Sequence, residues 1–442
     1  MSSSTDQAVV PKKYLVPFIL VTTLFALWGF ANDITNPMVK VFSKVLLMSN
    51  FEGSLVQAAF YGGYCVMAIP AAIFITKFSY KSGILSGLML YVVGCMLFIP
   101  ASITGAFAVF LIAYFIMTCG LSFLETSANP YIMSMGDEVT ATRRLNLAQA
   151  FNPMGALTGM FIAKTFILSK INPTSQAERE QLSPEALAPI TSSDLEILRA
   201  PYVILGIVVA CFLVAFIFAQ LPKKDRNPGE PLHLGATFKR LIGNRNWVGG
   251  VIAQAFYVGA QIMCWTFIIH YGTEVFTAEG MSEQDAESLS QGYNIAAMGI
   301  FLCSRFICTF ILKYFTPGRL LFALALGGIA TSLGAIYLDG RAGLYSLVAI
   351  SACMSLMFPT IYGIALKGLG EDAKLGSAGL IMAIGGGCLM PPLQGWMIDQ
   401  YNVQVSFFLP LICFVVIAIY GATTNKDGIT SRRLTEGEGY TA

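Results

Sequence analysis

Cutting the chain where polar residues cluster leaves twelve apolar runs. They fall near residues 14–38, 52–77, 82–102, 106–135, 143–169 and 200–221, then 246–272, 290–314, 317–337, 342–366, 375–400 and 404–423. A helix needs about 20 apolar residues to cross about 30 Å of hydrocarbon, so each run can span a membrane. The pattern predicts an all-α membrane protein with twelve transmembrane helices.

The connections between the runs alternate in charge. Lys12, Lys13, Lys77, Lys81, Arg143 and Arg144 fall on one side, followed there by Lys223 to Arg245, Lys313, Arg319, Lys367, Lys374, Arg432 and Arg433. The other side has Lys40, Lys44 and Arg341, with Lys170, Arg179 and Arg199 between the fifth and sixth runs, but acids outnumber them there. Its loops are read as holding Glu178, Glu180, Glu185, Asp194 and Glu196, then Glu274, Glu279, Glu283, Asp285 and Glu287. Basic loops stay in the cytoplasm, which places both termini there. The first run is too long for a signal-peptide core and lacks an A-x-A cleavage site, so it reads as an uncleaved first span.

The longest basic connection divides the runs six and six. The expected organisation is a tail at 1–13, a six-helix bundle at 14–221, a linker at 222–245, a second bundle at 246–424 and a tail at 425–442. IFITKFSYKSG (73–83) recurs as TFILKYFTPGR (309–319) at the same place in the second half. Two pseudo-symmetric bundles around a midplane cavity are a secondary-transporter architecture. The bland alternative is two similar amphipathic helix ends.

Composition agrees: the chain is 55% hydrophobic and 12% charged, against about 25% charged in soluble domains. A net charge of +2 is too small to imply nucleic acid, and the ten cysteines lie in apolar runs with no CxxC. They read as buried thiols. His233 and His270 are too far apart in setting to make a metal site. There is no P-loop, HExxH or GxSxG, so neither ATP hydrolysis nor hydrolase chemistry is expected. The Gly-rich run AIGGGCLMPPLQGW (383–396) lies inside a span and reads as a close-packed, kinked helix.

Glu125 stands alone. No charge precedes it back to Lys81 and none follows until Asp137, about 18 Å further along a helix. A charge at that depth costs at least ~3 kcal/mol. The carboxyl is either neutral and hydrogen-bonded or facing a wet cavity, and a proton carrier visits both states. A neutral acid tying two helices is the structural alternative. Asn129 lies one turn on, and Pro130 should bend the helix beside the acid. In span 1, LWGFANDITNPM carries Asn32, Asp33 and Asn36 before Pro37. Asp33 could be a second protonatable group or could cap the break at Pro37.

Three polar stripes have helical spacing: Gln57, Tyr61 and Tyr64 in span 2; Asn146, Gln149 and Asn152 in span 5; Gln254, Tyr257, Gln261 and Trp265 in span 7. Amides in hydrocarbon often join helices, but three such faces favour a shared polar cavity. Amides meet hydroxyls as both donor and acceptor, and aromatic faces cover the apolar side of a ring. A neutral polyol or sugar fits. An anion would call for a cation in the inner parts of these spans; the exception, Arg305 in span 8, reads as snorkelling or pairing near the cytoplasmic mouth. A channel would show charge rings or a filter loop, and a membrane enzyme a catalytic cluster near an interface.

LWGFAND, QAAFYGGY, SYKSGILSGL, LETSANPY, RLNLAQAFNPMGA, AQAFYVGAQIMCW and FPTIYGIALKGLG together resemble the fucose:proton symporter family of the major facilitator superfamily, over nearly the whole chain from Leu15. The resemblance implies alternating access and uptake of L-fucose with a proton, with relatives carrying glucose, galactose or other hexoses, coupled or facilitative. It puts the family's membrane carboxylate on Glu125. The family's span 1 aspartate falls on Asn36, so Asp33 serves from one turn away or does another job. The substrate-binding set is then Asn32, Asn36, Gln57, Tyr61, Tyr64, Asn129, Gln149, Asn152, Gln254, Tyr257, Gln261 and Trp265, joined through the resemblance by Phe301 and Phe358. No cofactor or metal is expected beyond the coupling proton. The partners are a small neutral sugar, the proton and the lipid bilayer, with no nucleic acid. The chain should work as a monomer in the bacterial inner membrane.

Overall fold

The computed structural model describes residues 10–136, 144, 147–149, 151–219, 234–311, 315–369 and 372–437. Among these residues there is helix and no strand, and each of the twelve apolar runs has helix in its described part. Ten helical segments are long and apolar enough to cross a membrane. Span 5 and span 8 complete the twelve. Span 5 is described as Phe151–Ile162 followed by a π-helical turn at Ala163–Leu168, part of its beginning lying outside the described residues. Span 8 is Glu283–Ile311, opening on acids.

Helix starts follow the sequence chemistry. Ser79 and Asn244 accept hydrogen bonds from the backbone of Ser82 and Trp247, satisfying donors that a first turn leaves free. Ser183 does the same for Ala186, with Pro184 in the first turn. This cap corrects one expectation: span 6 begins at Pro184, so Glu185, Asp194 and Glu196 are helical rather than in a loop. Span 7 likewise runs on to Ala278 and takes in Glu274. Of the acids expected in outer loops, only Glu279 is outside a helix. The missing signal was pairing. Asp194 meets Arg179 at 2.7 Å with both side chains fully buried, and Glu287, 3% exposed, meets Lys44 at 3.5 Å. A buried acid with such a partner can sit in a helix that its charge alone argues against.

The chain forms two compact units. The first contains Met1–Met38 and Gly62–Leu232, the second Val39–Tyr61 and His233–Ala442. Residues 39–61 thus group with the second unit, although the expected boundaries put them in the first half of the chain.

Each unit has a close crossing between its first and fifth spans. In the first unit a Cβ on Gly155 would lie 1.9 Å from the Ala26 carbonyl oxygen; in the second a Cβ on Gly386 would lie 1.9 Å from that of Ala255. Small residues let membrane helices approach this far. The Gly-rich run becomes a 3-10 turn, Ala383–Gly385, leading into the helix Gly386–Gln400 with Pro391 and Pro392 inside it.

Candidate functional site

In the first unit, Glu125 lies in the helix Phe107–Met133, which continues past Pro130. Its carboxyl group is hydrogen-bonded by Tyr64, while its Oε2 is buried with no partner. One turn on, the Asn129 amide donates to the Glu125 backbone carbonyl at 3.0 Å and accepts from Gln149 Nε2 at 3.3 Å. Span 2, span 4 and span 5 thereby converge on one acid. Asn152 has a different use, donating to the Phe25 carbonyl at 3.3 Å and tying span 5 to span 1. Asn146 lies outside the described residues.

Span 1 ends at Thr35, and the chain turns at Asn36 and Pro37 before the short helix Met38–Val45. Across this turn Asn36 Nδ2 donates to Asp33 Oδ1 at 2.9 Å, with both side chains buried. The Asn32 Oδ1 is buried without a partner. Among the described residues, no lysine, arginine or histidine lies within 4.0 Å of either Asp33 or Glu125. Neither is the acid of a structural ion pair.

In the second unit the polar groups are mostly engaged with their own framework. Gln57 donates to Thr266 at 2.9 Å. Tyr257 donates to the Met354 carbonyl at 3.1 Å, and Trp265 to Ser351 at 3.0 Å. Phe301 meets Trp265 edge-on at 5.1 Å, and Phe358 meets Tyr257 at 6.2 Å. Tyr61 packs over Gly387, where a Cβ would lie 2.7 Å from the ring. Gln261 is half-buried on the span 7 helix. Gln254 differs: it is fully buried, and neither its Oε1 nor its Nε2 has a partner. Leaving such groups unmade costs about 1–3 kcal/mol each, so an amide kept in that state is a candidate for ligand contact.

Of the two expectations for Arg305, snorkelling or pairing, the geometry favours pairing. Its guanidinium lies 4.8 Å from the centre of the Phe301 ring, and its Nε donates to the Ser355 carbonyl at 3.1 Å. A ring face and a backbone carbonyl help to hold the cation half-buried. Sequence reasoning also missed Asn294, which is fully buried, donates to the Trp265 carbonyl at 3.0 Å and leaves its Oδ1 without a partner. The signal was there: Gln291 and Asn294 stand three apart in span 8 and share a helix face. No group of three metal-ligating side chains occurs among the described residues.

The pattern of the Major Facilitator Superfamily matches residues 20–386. The chain is 50% identical to an L-fucose-proton symporter of Haemophilus influenzae, covering 93% of this chain and 97% of that one. It is 35% identical to the L-fucose-proton symporter of Escherichia coli, covering 92% and 93%. Among solved structures it is similar to FucP, a Major Facilitator Superfamily transporter in the outward conformation. The TM-score is 0.72 at 34% identity, over 93% of this chain and 99% of that one.

Proposed function

We propose that this chain, which belongs to the Major Facilitator Superfamily, carries L-fucose into the cell together with a proton by alternating access. The reading rests on one observation: two carboxyl groups, Glu125 and Asp33, sit inside membrane helices among amides and a phenol, with no lysine, arginine or histidine within 4.0 Å among the described residues. Each can gain and lose a proton without breaking an ion pair. The sugar identity comes from the two symporters that the chain resembles most of its length.

Glu125 is the coupling group. Ionised, it accepts from Tyr64; protonated, it becomes a donor. Asp33, held by Asn36, is the second proton-responsive group and stands one turn from the family's usual place. Within the first unit the candidates to read sugar hydroxyls are Asn32, Asn36, Tyr64, Asn129, Gln149 and Asn152; within the second they are Gln57, Tyr61, Gln254, Tyr257 and Gln261. Trp265, Phe301 and Phe358 supply apolar faces. The protein works as a monomer in the bacterial inner membrane, with both termini cytoplasmic and no cofactor beyond the coupling proton.

One proton is enough. A charge moving down 100 mV releases about 2.3 kcal/mol, which supports roughly 50-fold accumulation of a neutral solute.

The test is uptake of labelled L-fucose, glucose and galactose into proteoliposomes with and without an imposed pH gradient. Fucose accumulating only with the gradient supports the proposal. Accumulation of glucose or galactose with fucose ignored would move the substrate to another hexose. Equilibration of every sugar regardless of the gradient would overturn proton coupling.

A further inference from the structure

The first unit also carries a groove between spans 1, 5 and 6 that none of the sugar or proton chemistry uses. Its volume is about 830 Å³, and its walls include Phe30, Met154, Thr158, Phe166, Ala200 and Ile204. Two backbone irregularities flank it. Span 5 passes through the π-helical turn Ala163–Leu168, and span 6 contains Pro201 in its interior. A π turn rotates the side chains that follow it, and an internal proline removes a helix hydrogen bond and bends the axis. Meanwhile Gly155 draws span 5 against span 1. Span 6 is left standing off, and the small side chains of Thr158 and Ala200 do not fill the gap.

The groove opens on the face that meets lipid. Met154, Phe166 and Ile204 on its rim are 57%, 45% and 62% exposed. From Ser193 to Val208, both on its wall, span 6 advances roughly 22 Å. One leaflet of hydrocarbon is about 15 Å deep, half of the core, so an acyl chain fits along it.

Charge decides what heads that chain. Lys170 and Glu196 line the groove at the end where span 5 finishes. Glu196 is occupied by Arg199 at 3.0 Å. Lys170 lies over the Phe166 ring at 5.2 Å and has no carboxylate within 4.0 Å among the described residues. The mouth therefore offers one spare positive charge and no spare acid. A zwitterionic headgroup would need both. We infer that the groove binds an anionic glycerophospholipid, with its phosphate on Lys170 and one acyl chain between spans 5 and 6.

The full chain, purified in detergent, is titrated with phosphatidylglycerol and separately with phosphatidylethanolamine, and bound lipid is counted by native mass spectrometry. The wild type should retain one phosphatidylglycerol more tightly than phosphatidylethanolamine. Lys170→Gln should weaken phosphatidylglycerol about fivefold, the worth of one surface cation at an anionic membrane, and leave phosphatidylethanolamine unchanged. Ala200→Trp, which fills the groove, should weaken both. Equal retention of the two lipids by the wild type would overturn the proposal, as would phosphatidylglycerol binding indifferent to Lys170→Gln. If Ala200→Trp does not fold, the exposed Lys170 decides the matter alone.

Discussion

Gly155 against Ala26 in the first unit and Gly386 against Ala255 in the second make the same crossing, each leaving 1.9 Å for a Cβ that neither has. Around these matched crossings the chemistry differs. The first unit holds Glu125 and Asp33 with Tyr64, Asn129 and Asn36 gathered on them. The second has no acid in span 9 or in span 10 and none in span 8 beyond Glu287. It has instead a framework of engaged aromatics, a cation on Phe301 and one amide, Gln254, with both ends unmet. On the function proposed above, the scaffold divides its labour: protonation in the first unit, recognition of a neutral ligand by residues of each.

The largest effect expected from this division is at Glu125. Glu125→Gln keeps the shape and removes the proton, so accumulation under a proton gradient worth about 100 mV should fall from as much as roughly 50-fold to none. Exchange of labelled for unlabelled sugar should persist. Gradient-driven accumulation by this variant would place the coupling group elsewhere.

Asp33 comes next. Asp33→Asn should lower gradient-driven uptake about tenfold, and the double change Asp33→Asn with Asn36→Asp, which exchanges the two buried partners, should recover much of it. Recovery would make the pair one functional unit. An uptake rate untouched by Asp33→Asn would leave the residue a cap on the turn at Pro37.

A smaller and different change belongs to Gln254. Gln254→Leu should weaken sugar binding about threefold to tenfold, the range for a hydrogen bond or two to a neutral group. Its uptake should still depend on the gradient. Isothermal titration with L-fucose and uptake at saturating sugar separate the two. Loss of coupling rather than affinity would erase the contrast between the units.

The smallest effect is on stability against acid, through two exposed pairs of the second unit. Arg341 beside Glu279 holds that carboxyl below its usual range, and Arg240 does the same for Asp372. A carboxyl depressed in the folded state stabilises above its unfolded pKa of about 4, and that contribution is lost as pH falls through the folded value. Glu279→Gln should therefore lower the melting temperature slightly at pH 7, and the difference from wild type should close as the pH drops below about 4. Scanning fluorimetry across that range checks the sign.

The membrane class was legible because hydrocarbon imposes one rule on every span: enough consecutive apolar residues to cross. Glu125 was legible for the same reason, as the one charge breaking a long run. The helical course of Asp194 and Glu287 was not, because their partners Arg179 and Lys44 sit on other helices. The partners of Arg305 were not legible, since a ring face and a carbonyl, neither visible as a charge, hold it. Asn294 was overlooked although Gln291 stands three residues before it, because amides on one helix face resemble ordinary helix glue. Its unpartnered Oδ1 emerges only from three-dimensional packing. What a residue is can be read along the chain; whether its partner is present cannot.

The central claim is that protons enter the cycle through the first unit, and proton uptake on adding sugar tests it most directly. Purified protein in weakly buffered solution with a pH-sensitive dye is mixed with L-fucose. The wild type should take up protons and alkalinise the solution, Gln254→Leu should do so only at higher sugar concentration, and Glu125→Gln should give no signal. A signal from Glu125→Gln equal to that of the wild type would contradict the account.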